Sequence, residues 1–303
     1  MFVPADTRMR NTASTRRHLM HVTTEVPELR AWIAARRSAG DRIALVPTMG
    51  YLHDGHLALI DEARRQAGVV VMSSFVNPLQ FGPGEDLDQY PRDDERDRQL
   101  AGDRGVDLLF RPSVAVMYPE GLEIHVVPGA AGAEWEGTFR PGHFEGVLTV
   151  VAKLFHLVAP DVACFGQKDI QQATLVRQMV RDLNWNIDIV VVPTVREPDG
   201  LALSSRNVYL SEPGRRQALG LSGALAEAHW AWQAGERTAV GITARMQGCL
   251  DAIDRLEIEY IAVVDPVRFQ PVQTVDDETV VAVAGRVGRT RLIDNIVLSR
   301  GLG

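Results

Sequence analysis

The chain alternates apolar runs with amphipathic stretches. Ile43-Ala44-Leu45-Val46 is apolar without alternation, the mark of a strand buried on both faces. Leu57, Ile60, Ala63 and Ala67 then recur at helical spacing, and 69–76 is a second β-rich apolar run that ends at Asn77-Pro78. Strand, helix, strand makes a right-handed βαβ unit and hence a parallel sheet. The pattern continues downstream: a helix over 93–102, a strand over 107–110, a strongly apolar helix over 147–158, a strand over 162–165, a helix over 170–183 and a strand over 187–192. A first helix is expected over 25–39, and 122–127 reads as a short edge strand.

Beyond about residue 205 the order changes. Helices over 213–234 and 239–255 precede three strands at 258–264, 279–284 and 291–298, a grouping typical of α+β structure. The expected architecture is α/β: a Rossmann-like doubly wound parallel sheet domain over 25–200 with a smaller carboxyl-terminal α+β domain over 201–303. Residues 1–24 are Arg-rich and acid-poor and lack the apolar stretch of a secretory signal, so a disordered tail is expected. A transit peptide shares that composition, and Met20 offers a second start.

Composition narrows the classes. The 303 residues allow one large domain or two ordinary ones, and 46% apolar residues suit a globular core. A net charge of −7 argues against a nucleic-acid-binding surface. No apolar run is long enough to span a bilayer. Cys164 and Cys249 show no metal-ligand spacing, which fits a reducing, cytoplasmic setting.

Candidate chemistry gathers at strand ends, where open α/β sheets bind ligands. The first strand runs into Val46-Pro47-Thr48-Met49-Gly50-Tyr51-Leu52-His53-Asp54-Gly55-His56 and then into a helix. A helix N-terminus offers backbone N–H groups and the positive end of a dipole, which favour an anion. His53 and His56 at that terminus suit hydrogen bonding to phosphoryl oxygens, although two ordinary histidines near a cap give the same pattern. This stretch looks like the His-x-Gly-His signature of nucleotidyltransferases.

The second strand end carries Asn77 and Gln80, amides that suit a small polar substrate or, equally, an Asn-Pro turn with a surface Gln. The strand near 165 ends in Gly166-Gln167-Lys168-Asp169. Lys168 there is well placed for phosphate, while Asp169 with Gln172 fits a capping box. Leu203-Ser204-Ser205-Arg206 offers hydroxyls and a guanidinium to a polyphosphate, though Ser-Ser-Arg alone is a common surface triplet. Two loops complete the inventory. The acidic 84–95 loop reads as a nucleotide-flanking or solvated segment, and the 134–146 loop as a pocket cover, with Arg140 facing anions, or a plain surface loop.

Taken together, these motifs resemble the pantothenate synthetase family. Pro-Thr-Met-Gly-x-Leu-His-x-Gly-His, Phe-Val-Asn-Pro-x-Gln-Phe-Gly, Glu-Gly-x-x-Arg-Pro-x-His-Phe-x-Gly-Val, Lys-Asp-x-Gln-Gln, Ser-Ser-Arg-Asn and Thr-Arg-Leu-Ile-Asp-Asn occur in the family's order. They cover nearly all of the chain after the first 25 residues. Gln167 stands where the family commonly has Glu, and Leu203 where it commonly has Met. Both changes spare the Lys, Ser and Arg groups.

The resemblance implies ATP-dependent joining of (R)-pantoate to β-alanine through pantoyl adenylate, with release of AMP and pyrophosphate. It implies ATP contacts from Met49, Gly50, Tyr51, Leu52, His53, Asp54, Gly55 and His56, from Gly166, Gln167, Lys168 and Asp169, and from Val195, Leu203, Ser204, Ser205 and Arg206. His56, His53, Lys168 and Arg206 would be the catalytic groups. Gln80 and Gln172 would hold pantoate, with Gln80 and Asn77 at β-alanine. Mg²⁺ would accompany ATP, held by phosphate and water, and the enzyme would be a homodimer. Two other readings remain: a nucleotidyltransferase that stops at an adenylyl product, and a non-catalytic nucleotide-binding protein on a degenerate version of the fold.

Overall fold

The computed structural model describes residues 19–302. Most of the tail expected over 1–24 lies outside these residues. Its end does not: His21–Thr23 is strand β1, paired in parallel with Leu108–Phe110. Three residues are too few to show a period, and the pairing is dictated by the open edge of the neighbouring strand.

The first unit follows in order: α1 (Val26–Ser38), β2 (Ile43–Thr48), α2 (Asp54–Gln66), β3 (Val69–Ser74), α3 (Asp94–Asp103), β4 (Leu108–Phe110), the short α4 (Val114–Met117) and α5 (Glu136–Phe139), α6 (His143–Val158), β5 (Val162–Gly166), α7 (Ile170–Asp182) and β6 (Asp188–Val192). The six strands form one parallel sheet in the order β1-β4-β3-β2-β5-β6. Alternate residues of each strand serve opposite faces. Ile43, Leu45, Val69, Val71, Ala163 and Phe165 join the core under α1 and α6. Ala44, Val46, Val70, Met72, Val162 and Cys164 join the core under α2. Burying such a Leu, Ile or Val side chain contributes about 1.5–3 kcal/mol each, which explains why both faces read as continuous apolar runs.

The strand order reverses at β2 and β5, so the crevice between their carboxyl ends is the topological switch point. The ladder opens early there. Ala44 pairs with Val162 and Leu45 with Ala163, and no further residue of β2 has a partner on β5. Pro47, which has no N–H to donate, sits in the stretch of β2 beyond that pairing.

The second unit comprises α8 (Glu212–Gln233), α9 (Ala239–Leu250) and the antiparallel sheet β7 (Leu256–Val264), β8 (Val280–Val287), β9 (Thr290–Val297). Val263, Val281, Val283, Leu292 and Ile296 pack under α8 and α9. Ala262, Val264, Val280 and Ala282 on the opposite face join the core of the first unit.

Two sequence expectations change. No strand forms over 122–127; the Val126 N–H goes to Thr149 Oγ1 at 2.9 Å, so a side chain of α6 takes the place of a ladder partner. The helix expected over 239–255 stops at Leu250, and the chain turns through Arg255 at φ +58° into β7.

Candidate active site

A cavity of about 220 Å³ opens at the carboxyl ends of β2 and β5. Met49, His53, Gly55 and His56 line it from the loop after β2. Gly166, Lys168 and Asp169 approach from the end of β5, with Gln172 on α7. Val195, Leu203, Ser204, Ser205 and Arg206 come from the segment joining the two units, and Gln80 from the turn after β3.

The histidine loop is tightly determined. Gly50 and Tyr51 both adopt left-handed backbone, at φ +82° and +52°. For Tyr51 this costs about 1–2 kcal/mol. The loop reverses so that His53 becomes the N-cap of α2. Its Nδ1 accepts the Gly55 N–H at 3.2 Å, and His56 Nδ1 accepts the His53 N–H at 3.3 Å. The helix N-terminus is therefore not left free for an anion as the sequence suggests; the histidines take two of the amides. Each imidazole accepts at Nδ1, which fixes its proton on Nε2. The rings lie 4.1 Å apart, centre to centre. Burial, then the Lys168 cation, lowers the His53 pKa to about 4. Burial, then the neighbouring His53, lowers that of His56 to about 3. Both rings are thus neutral donors at physiological pH.

Lys168 has no carboxylate partner among the described residues and is half-buried. The carboxyl-terminal unit fixes its backbone: Asn295 Nδ2 donates to the carbonyls of Gln167 at 2.9 Å and Lys168 at 3.0 Å. The capping box expected from Asp169 and Gln172 does not form, and Asp169 makes no side-chain cap. Both face the cavity instead.

Gln80 is held on three sides. Asn77 Nδ2 donates to its side-chain oxygen at 3.2 Å. Its backbone carbonyl lies 2.8 Å from His143 Nδ1 and accepts from Arg140 at 3.3 Å. Asn77 is buried and turned inward; it also bonds the Gly146 carbonyl at 3.0 Å and the Tyr118 hydroxyl at 2.9 Å. Gly146 is required there, because a Cβ would come within 2.2 Å of the Leu79 carbonyl oxygen.

The rim is ionic. Arg140 grips Glu85 with two bonds of 2.8 Å, and Arg206 grips Asp86 at 3.0 and 2.8 Å. Burial opposes ionisation of Glu85, but Arg140 outweighs it and holds that carboxyl below its ordinary value. Burial, then Arg140, pushes the His143 pKa down to about 4.

Several residues named from sequence stand behind the lining. Leu52 is core, Gln167 bonds Asn295 at 3.3 Å, and Gly50 and Tyr51 face a second cavity behind the loop. Asp54 is exposed in the first turn of α2. Conversely, Ser73, Tyr90, His143 and Thr194 line the cavity although the sequence reading assigns none of them a role, His143 standing inside the Arg-Pro-x-His-Phe motif and Tyr90 inside the acidic loop. Ser73 and Thr194 hydroxyls are buried with no partner among the described residues, which suits a place where a ligand supplies one. The signal for Ser73 was a polar pair, Ser73-Ser74, closing an apolar strand.

Val147, Val150 and Val151 on α6, with Phe75 and Phe165, give the cavity an apolar wall opposite its charged rim. The model of the pantoate-beta-alanine ligase family matches residues 21–297. The chain belongs to this family. Pantothenate synthetase 1 of Bradyrhizobium diazoefficiens is 52% identical over 281 residues, covering 92% of this chain and 99% of that protein. The crystal structure of pantothenate synthetase from Thermus thermophilus superposes with a TM-score of 0.87 at 50% identity, covering 92% of this chain and 99% of that one. The pantoate-beta-alanine ligase of Francisella tularensis, solved in complex with beta-gamma ATP and β-alanine, gives a TM-score of 0.73 at 32% identity, covering 94% of this chain and 100% of that one. Membership brings the six-stranded sheet, its small antiparallel companion and the histidine loop under one family of ligases.

Proposed function

We infer that the chain joins (R)-pantoate to β-alanine using ATP. A pantoate carboxylate oxygen attacks the α-phosphorus of ATP and pyrophosphate leaves, giving pantoyl adenylate. The β-alanine amine then attacks the acyl carbon and AMP leaves with the former carboxylate oxygen, forming the amide. A free carboxylate resists an amine; adenylation supplies the leaving group. The observation that carries this reading is the meeting in one cavity of two neutral imidazole donors, an unpaired lysine, the Ser204–Arg206 segment and an apolar wall bordered by Gln80 and Gln172.

His53 and His56 present Nε2–H to phosphoryl oxygens, where charge grows as pyrophosphate departs. Because each ring receives a backbone N–H at Nδ1, the end of α2 polarises both toward donation. Lys168 supplies a full charge to the same oxygens. Arg206, released from Asp86, offers a bidentate fork to the polyphosphate beside the Ser204 and Ser205 hydroxyls. Gly166, Asp169, Val195 and Leu203 border the nucleotide. Gly50, Tyr51, Leu52, Asp54 and Gln167 shape the loops that carry these contacts.

Pantoate has two hydroxyls, a carboxylate and a dimethyl carbon. Gln80 and Gln172 suit its polar groups, and Val147, Val150 and Val151 suit the methyls. Gln80 also borders β-alanine, with Asn77 acting through its hold on the Gln80 amide. Mg²⁺ enters with ATP. Among the described residues no three His, Cys, Asp or Glu side chains form a cage, and Asp169 gives the cavity one carboxylate. That donor set fits an ion carried mainly on phosphate oxygens and water, where it would neutralise phosphate charge.

The same reading includes a homodimer in the cytoplasm. Exposed Ile124 and Val127 support a covered face, and free Cys164 and Cys249 support a reducing setting. No helix of the described residues is long and apolar enough to cross a membrane. AMP release from ATP and Mg²⁺, with pantoate and β-alanine supplied singly and together, tests the reaction. Sustained AMP formation only with both is expected; its absence with both supplied would redirect the pocket to another acid.

A further inference from the structure

Asp97 lies in the first half of α3, outside the cavity, and is 2% exposed. Its carboxylate reaches the back of the histidine loop. Oδ2 accepts the Tyr51 N–H at 2.6 Å and Oδ1 the Leu52 N–H at 2.7 Å. Its neighbour Arg96 donates to the Leu52 carbonyl at 2.7 Å. These are the two residues immediately before His53. Successive amides after left-handed Gly50 and Tyr51 form a concavity for an anion, and here the anion is built into the protein. Gly50 is part of the fit: a Cβ there would stand 2.9 Å from Asp97 Oδ2 and 2.8 Å from Ser74 Oγ.

The loop has somewhere to go if released. Behind it is a second cavity of about 250 Å³, lined by Gly50, Tyr51, Asp97, Arg92 and Arg111. A left-handed tyrosine does not hold itself in place. Thr48 Oγ1 accepts the Gly50 N–H at 3.2 Å, but the next two amides depend on Asp97.

We propose that Asp97 is a positioning residue for adenylation: by filling the anion site behind the loop it sets His53 and His56 toward the cavity and leaves phosphate to meet the imidazoles. This rests on the ligase reading for its substrate and on geometry alone for the loop. Asp97→Asn keeps the shape but turns an NH₂ group toward one of the two amides. Misplacing a reacting group by about 1 Å costs on the order of 100-fold, so pantoate-dependent ATP–pyrophosphate exchange should fall between about 10-fold and 100-fold. Aminolysis of supplied pantoyl adenylate should fall much less.

A substrate-independent readout runs beside it. In nitrogen-15 NMR titrations, burial holds the His53 and His56 midpoints of the unaltered protein well below 6.5, and in Asp97→Asn both should rise as the loop opens to water. Burial also raises the pKa of the Asp97 carboxyl, so the comparison is made where that carboxyl stays ionised. Equal losses in both half-reactions, or unchanged midpoints with unchanged exchange, would overturn the proposal. If the unaltered protein shows no exchange with pantoate, the ligase reading fails while the titration still judges Asp97. Should Asp97→Asn not fold, Asp97→Ser retains one acceptor in a smaller side chain and is judged by the same readouts.

Discussion

On the inner side of the cavity, His53, His56 and Lys168 stand at the ends of β2 and β5 with no carboxylate pairing them among the described residues. On the outer side, Arg140 and Arg206 are each gripped by a carboxylate of one loop, Glu85 and Asp86. The two imidazoles are fixed by backbone hydrogen bonds, and the Lys168 backbone by Asn295, before a ligand arrives. The outer cations are each held by an internal carboxylate. The Arg206–Asp86 pair is bidentate and half-buried, so it contributes more than the roughly 0–1 kcal/mol of a fully exposed pair. On the proposed reading, a polyphosphate takes the place of Asp86 by offering Arg206 more charge than one carboxylate does. Preorganisation belongs to the inner side and exchange to the outer.

Removing an inner donor should have the largest effect. His56→Ala should reduce pantoate-dependent ATP–pyrophosphate exchange by about 100- to 1000-fold, the usual loss for one preorganised donor at developing charge. The same change deletes the acceptor for the His53 N–H and should lower stability by about 1 kcal/mol. Circular dichroism should remain that of the folded protein. Full exchange in a folded His56→Ala variant would remove the role given to that imidazole.

The outer side should answer with opposite signs. Arg206→Ala should raise the KM for ATP about tenfold or more, as expected for loss of a charge-assisted hydrogen bond. Asp86→Asn should lower that KM a few-fold, because the competing anion is gone. Steady-state kinetics of the two variants decides it. If both raise KM, the pair works as a latch and not as a competitor for phosphate.

Legibility in the sequence divides along the same line. The histidine loop could be read because an apolar run, a glycine and a helical period locate it at a strand end. The sheet could be read because burial on both faces leaves no alternation to confuse with an amphipathic helix. Strand β1 could not, since three residues carry no period. Asp97 could not, because it follows a segment crowded with carboxylates (Glu85, Asp86, Asp88, Asp93, Asp94 and Glu95) and resembles a solvated helix residue. Only the fold shows it facing the loop. Asn77 and Gln167 illustrate the remaining limit. Sequence gives the hydrogen-bonding capacity of an amide at a strand end but not its direction, and both turn toward protein partners, Gly146 and Asn295.

Gln80 belongs to neither side alone: the outer Arg140 and buried His143 hold its carbonyl, while its amide faces inward. Gln80→Ala should raise the KM for pantoate about tenfold, the cost of one or two polar contacts, with the KM for ATP little changed. Equal increases would mean that the turn as a whole had moved.

The smallest expected effect concerns pH. Unfolded imidazoles titrate at 6.5, but folded His53 and His143 do so at about 4 and His56 at about 3. These folded values are depressed, so the unfolded chain binds protons first. The stability contribution is full above 6.5 and is lost as pH falls from 6.5 through about 4 toward about 3. Above about pH 5 most carboxylates are already ionised, so the decline between 6.5 and 5 reports the histidines. Thermal unfolding across that window should show a falling Tm, and His143→Gln should flatten the slope by removing one of the three groups. Activity should follow a different curve, because on the proposed reading a bound polyphosphate draws protons toward His53 and His56. A flat Tm profile in the unaltered protein would mean that the inner histidines are hydrated. The contrast between a preset, uncharged inner side and an exchangeable rim would then fail.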